Sequence, residues 1–316
     1  MSEAFAGGCF LRNPAYLLSL QRRHTRYNVL GLLQEGGKGR VYVAIDQITN
    51  KRVVIKRQLH DQDAAQEMLA YSIFAAFPHQ NVMAMLDYFT MGHGNVAAHG
   101  HVAAPNEVTL HTVHELAAAS LHDVVLALDL EEPGLSREVV AEYTLGLASG
   151  LAHMHRRGMT HGDLSLNNIL LSTDGVIKIS DHGAVFCASS AFVDVPKATY
   201  YVESPEAGLG ARRLTQAVDI WAVGVVWFCL RIAFVPWLHE EDCPLRLRSQ
   251  VQLLGPLRSS SWPALESLPR WPSWREQHGE HNGDIAAATF QDAARSVLGQ
   301  PGSDGWRAGR RRITNP

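Results

Sequence analysis

The stretch HGDLSLNNILL, His161 to Leu171, narrows the choice of fold more than any other part of this chain. Asp163 is placed there as an acceptor for a hydroxyl proton, and Asn168 as an oxygen ligand for a hard cation. Further on, ISDHG follows an apolar strand and offers Asp181 as a second such oxygen. Upstream lie pieces suited to phosphate. LQEGGKGRVYVA (Leu33–Ala44) is a glycine-rich turn between two strands, where backbone N–H groups can approach an anion with no Cβ in the way. VVIK puts Lys56 on the next strand, and Glu67 on the helix after it can hold that cation by an ion pair. Each piece alone has a plain alternative: a tight hairpin, a strand-edge charge, a helix-surface carboxylate, a turn-forming Asp. Six in this order argue against coincidence, and the order fits the parts needed for phosphoryl transfer.

The rest of the chain is organised around them. Tyr27–Asp46 reads as two apolar, β-branched runs, and KRVVIKRQL (Lys51–Leu59) as a third strand. Asp61–Phe77 has an Asp cap and helical apolar spacing. VMAMLDYF (Val82–Phe89) and EVTLHTVHEL (Glu107–Leu116) read as strands flanking a loop. That loop carries His93, His99 and His101. Nothing fixes their geometry as metal ligands, and the reading is a flexible insertion. From Ser136 a long amphipathic helix runs to a stop at Gly158, with Glu138 near its start. The tail from Ser259 is rich in Ser, Pro and Trp and carries little pattern. Strands first and helices after make the expected class α+β.

Composition excludes several functions. With 316 residues, 46% hydrophobic and 19% charged, the chain is long enough for one large domain or two lobes with real cores. A net charge of -3 gives no global basic field for nucleic acid, and RAGRRR (Arg307–Arg312) reads as a solvated tail. Cys9, Cys187, Cys229 and Cys243 have neither zinc nor redox spacing, which suggests reduced thiols in an intracellular protein, cytoplasmic or nuclear. The opening MSEAFAGGCF has no basic region of a secretory signal. Ile220–Leu238 has the length of a membrane span, but Arg231 interrupts it and Pro236 breaks its end. It reads instead as a helix buried on all sides, so no membrane partner is expected.

On these motifs the chain resembles the eukaryotic protein kinases over roughly Tyr27 to Thr314. SPE (Ser204–Glu206) is similar to the family's APE motif, and DIWAVGV (Asp219–Val225) to its DxWSxG helix. The resemblance implies a bilobal α+β fold. An N-terminal extension spans 1–26, a β-rich N-lobe 27–115, and a helical C-lobe 116–316 apparently lacking the last helix. It implies an ATP- and Mg²⁺-dependent transfer to Ser or Thr of a protein substrate. Asp163, Lys56, Glu67 and Thr199 would be catalytic, with Asn168 and Asp181 on metal. Leu33, Gly36, Gly39, Val41, Val54, Lys56, Glu115, Ala117 and Leu170 would hold nucleotide, with His114 as gatekeeper. Asp219 would hold the catalytic-loop backbone, and Arg312, or failing it Arg307, would pair with Glu206. The subgroup it most resembles is the cyclin-dependent kinases, through LLGPLRSSSWPALESLPRWPSW (Leu253–Trp274). A cyclin-like regulatory subunit is therefore implied by analogy alone.

The departures from the family pattern cluster. Three arginines that gather the activation-loop phosphate in the family match Gln66, Gly162 and Phe186 here, and the phosphorylated threonine matches Asp194. That switch reads as dismantled. The catalytic-loop lysine is Ser165, the Phe of Asp-Phe-Gly is His182, and Gln34 replaces the first loop glycine. The short spacing from Lys56 to Glu67 should hold Glu67 inward permanently. Glu203, Lys197 and Ala198 replace the residues that read proline after the phosphorylated site, and Glu203 would favour a basic substrate residue. The alternative to an active kinase is a pseudokinase scaffold that binds partner proteins with weak or no catalysis.

Overall fold

The structure is a computed structural model that describes residues 26–36, 39–59, 62–92, 108–128, 134–187, 199–233, 235 and 243–278. It divides into two compact units, one ending at Ala118 and one beginning at Ala119.

The first unit is built on an antiparallel five-stranded sheet of order β1-β2-β3-β5-β4. Its strands are β1 (Tyr27–Gly36), β2 (Gly39–Asp46), β3 (Lys51–Leu59), β4 (Met85–Gly92) and β5 (Val108–Glu115). Side chains alternate across a strand, so Val53 and Ile55 of β3 join Tyr42, Ala44, Val113, Tyr27, Val29 and Met91 in one apolar cluster. The intervening Lys56 and Gln58 face the other way, toward helix α1 (Gln62–Ala76). That helix buries Ala64, Glu67, Ala70, Tyr71 and Phe74 at helical spacing. β4 begins at Met85 rather than Val82, because Val82 and Met83 are buried before the chain joins the ladder. Arg26 ties the ends of three strands together: Nε and Nη2 each donate to Asp46 at 3.0 Å, and Nη1 donates to Asp87 at 2.9 Å. Gly39 has φ 137°, and a Cβ there would lie 2.1 Å from the Arg57 carbonyl oxygen. The hairpin therefore demands glycine at this position for packing alone.

The second unit holds a three-stranded sheet of order β6-β8-β9, from β6 (Ala119–Ser120), β8 (Ile169–Leu171) and β9 (Ile177–Ile179). β7 (Met159–Thr160) pairs with β10 (Phe186–Cys187). Helix α2 (Leu121–Ala127) opens with a capping box between Ser120 and Asp123. Helix α3 (Arg137–His155) starts where the sequence places it, with Ser136 accepting from the Val139 N–H. Gly158, at φ 75°, follows its end. The short helix α4 spans Pro205–Gly208 and α6 spans Cys243–Leu254.

Two expectations are corrected in this unit. The apolar segment forms α5 (Ala217–Ile232), which stops at Ala233 in a left-handed turn, and Pro236 to Leu238 lie outside the described residues. Nor is it buried all round: Ile220 is 60% and Trp227 38% exposed, seven residues apart on one face. The tail from Ser259, read as carrying little pattern, sends four side chains into the core by residue 274. Leu265, Leu268, Trp271 and Trp274 join Phe186, Leu209, Leu214, Val218 and Leu247 in a second apolar cluster, and Trp271 is only 1% exposed. Leu265 lies in a 3₁₀ turn (Pro263–Ser267), and Trp271 opens helix α7 (Trp271–His278). Among the described residues, no helix is long and apolar enough to cross a membrane.

Candidate active site

In the second unit, the loop between β7 and β8 is pinned from three sides. Asp219, at the start of α5 and almost fully buried, accepts from the N–H groups of His161 (2.8 Å) and Gly162 (2.9 Å). It also meets His155 Nε2 at 2.8 Å. His161 Nε2 lies 2.9 Å from the Ser180 carbonyl, so this nitrogen carries the hydrogen and Nδ1 is left to accept from the Asp163 N–H. The third anchor is Tyr201, whose phenol oxygen accepts from the Leu166 N–H at 2.9 Å and is hydrogen-bonded by Ser165. Burial pushes that phenol's pKa well up.

This frame fixes Asp163. Its Oδ1 accepts from both the N–H (2.7 Å) and the hydroxyl (2.6 Å) of Thr199. Asn168 Nδ2 donates to the Asp163 carbonyl (2.7 Å) and to its Oδ2 (3.2 Å), which turns the amide oxygen of Asn168 the other way. Ser180 donates to the Asn168 carbonyl through both N–H (2.9 Å) and hydroxyl (3.0 Å), so Asn168 and the neighbouring Asp181 are held in one register. Asp181 adopts φ 58°, ψ 71°, a left-handed conformation uncommon outside glycine. Strain of this kind gathers at functional sites. His182 is fully buried and packs edge-on against His161 with ring centres 5.8 Å apart. Two hard oxygens are thus on hand for a divalent cation, one neutral amide and one carboxylate, which fits Mg²⁺ in ligand type.

In the first unit, Lys56 Nζ donates to Glu67 Oε1 at 2.9 Å and Oε2 at 3.1 Å. Val41 faces Lys56 across the β2–β3 ladder, and Val54 stands on the same face of β3. Both are half-buried, whereas Leu33 on β1 is exposed. Gly36 and Gly39 pair where the β1–β2 hairpin turns. Glu115 ends β5 and Ala117 follows it. His114 is buried, with Nδ1 3.2 Å from the Ala84 carbonyl, Nε2 2.9 Å from the Thr112 hydroxyl, and its ring 4.9 Å from that of Tyr71. Leu170 belongs to the second unit, on β8 between Ser120 and Lys178.

The departures have physical counterparts. Gly162 has φ 78°, and a Cβ there would lie 2.8 Å from the Ala184 carbonyl oxygen and 3.0 Å from the Phe186 ring. Two positions matched to arginines are therefore packed against each other, and the buried ring fills the space. The third, Gln66, is exposed on α1. Ser165 is buried and turned to Tyr201. The reading of Glu203 as a reader of basic substrate residues is corrected: its carboxylate is taken by the buried guanidinium of Arg246 on α6, and Gln250 donates to its carbonyl at 3.0 Å. His93, His99, His101, Asp194, Lys197, Ala198, Arg307 and Arg312 all lie outside the described residues. Sequence reasoning missed Gln58, His155 and Tyr201. Only Gln58 left a signal, two residues beyond Lys56 and so on the same strand face.

Known proteins resemble this chain in sequence. The family profile described as protein kinase domain covers residues 27–289. Cyclin-dependent kinase 7 of Xenopus laevis is 26% identical over 273 residues, 83% of this chain and 72% of that protein. Cell division control protein 2 homolog 3 of Trypanosoma brucei brucei is 29% identical, covering 81% and 80% respectively. Serine/threonine-protein kinase SSN3 of Mycosarcoma maydis is 33% identical over 145 residues, 40% of this chain and 20% of that protein.

Proposed function

The chain belongs to the protein kinase domain family, and from that premise we propose that it transfers the γ-phosphate of ATP to Ser or Thr of protein substrates, without control by activation-loop phosphorylation. The observation that carries this reading is the Asp163 carboxylate, oriented by two donors from Thr199 and one from Asn168. A carboxylate so fixed can accept the proton of an incoming hydroxyl. Lys56, paired with Glu67, takes the role of holding the α and β phosphates. Asn168 and Asp181 take the role of holding Mg²⁺, which when bound neutralises charge on the phosphates. Leu33, Gly36, Gly39, Val41, Val54, Glu115, Ala117 and Leu170 are proposed to hold the nucleotide. The hydroxyl side chain at 199 and the relative named a serine/threonine kinase support Ser/Thr over Tyr. The apolar contact of Gly162 with Phe186 supports independence from phosphorylation, since a phosphate would find no arginine fork there.

The relatives named as cyclin-dependent suggest a cyclin-like partner by analogy. A second reading, a scaffold that binds protein partners with little catalysis, draws on Ser165. It offers no cation for the transferring phosphate and is turned into the protein. Incubating the purified chain with labelled Mg·ATP and a mixed Ser/Thr substrate separates the two. Label transfer is expected, with Asp163→Asn and Asp181→Asn each removing nearly all of it while the fold stays intact. Absence of transfer and of Mg·ATP binding would leave the scaffold.

A further inference from the structure

We propose that Gln58 is a positioning residue: its amide fixes the Glu67 carboxylate in the ion pair with Lys56 and so helps hold α1 on the sheet. Lys56 and Gln58 stand two apart on β3, hence on one face, opposite Thr112 and Leu110 of β5. Gln58 Nε2 donates to Glu67 Oε2 at 2.8 Å, shorter than the 3.1 Å from Lys56 Nζ to the same oxygen. Glu67 is 1% exposed. A carboxylate taken that far from water needs donors on both oxygens. Lys56 supplies a mobile point charge that can serve either oxygen, whereas the planar amide of Gln58 fixes one of them. No other residue from Ala64 through Phe77 is charged, so Glu67 is the one ionic contact that this stretch offers to the sheet. The tether is short as well, since α1 begins at Gln62 and β3 ends at Leu59.

The consequence for phosphate handling rests on the role proposed above for Lys56, but the contact and its test do not. Trace acetylation followed by mass spectrometry reads how much of the Lys56 amine is free, normalised to the exposed Lys51. In Gln58→Leu, Glu67 spends time away from Lys56, and the amine it occupied is exposed to the reagent. Labelling of Lys56 should then rise severalfold at fixed pH, toward the level of Glu67→Gln. If Gln58 acts through Glu67, the double variant labels no faster than Glu67→Gln alone, a non-additivity that a merely structural loss would not produce. Gln58→Met, also without a donor, repeats the test should the leucine variant not fold. Equal labelling in wild type and Gln58→Leu would overturn the proposal, as would the same rise in the Glu67→Gln background. A chain that binds no Mg·ATP would sink the kinase reading and leave this measurement unaffected.

Discussion

Thr199 gives Asp163 two hydrogen bonds through one residue, and only the hydroxyl can be removed without disturbing the backbone. Thr199→Val keeps the shape and deletes that donor, a bond to a charged group on the order of 1.5–3 kcal/mol. Phosphoryl transfer should fall about tenfold or more, while nucleotide affinity measured by calorimetry stays nearly constant. Gly162 allows a second test at this scale. Its left-handed φ and the carbonyl 2.8 Å from where a Cβ would lie make Gly162→Ala destabilising, by about 1–3 kcal/mol in urea unfolding. The joining of Asp163 and Asn168 in one loop was legible, because the two side chains stand only five positions apart. The packing of Gly162 on Phe186 was not, because it depends on a carbonyl of Ala184 that no side-chain pattern reports. Glu203 was misread for a related reason, its partner Arg246 lying 43 positions away on another element.

Helix α5 acts on the loop between β7 and β8 through one carboxylate. Asp219 satisfies two backbone N–H groups and an imidazole, all at 2.8–2.9 Å. Asp219→Ala leaves those donors buried without an acceptor, so stability should drop by about 3 kcal/mol or more, read from denaturant midpoints. If Asp219→Ala unfolds no more easily than an exposed substitution such as Glu142→Ala, the loop is held elsewhere. Helix α3 was legible from its Ser136 cap and α1 from its apolar spacing. The end of α5 was not, because the apolar run continues past Ala233 while the backbone turns left-handed there. The packed tail escaped for a different reason: Leu265, Leu268, Trp271 and Trp274 recur every three residues amid Ser and Pro, and no single helix of normal length links them.

The chain as a whole should report ligand and acid through its melting curve. A nucleotide that binds only the folded state stabilises it by about 2.7 kcal/mol at one hundred times its dissociation constant. At about 2 °C per kcal/mol for a chain of this size, saturating Mg·ATP should raise the midpoint by about 5 °C. EDTA and Lys56→Met should each shrink that shift. Acid works through Asp46, whose carboxyl is held well below the usual range by the Arg26 guanidinium. A lowered carboxyl pKa contributes stability that is present above the ordinary value near 4 and is lost as pH falls through the lowered one. Wild type should therefore lose more stability than Asp46→Asn on going from pH 5 to pH 3. The contact of Gly162 with Phe186 reaches furthest at this scale. Under the proposed function, the buried ring leaves a phosphatase nothing to act on through that contact. Product formed should then track the amount of protein made.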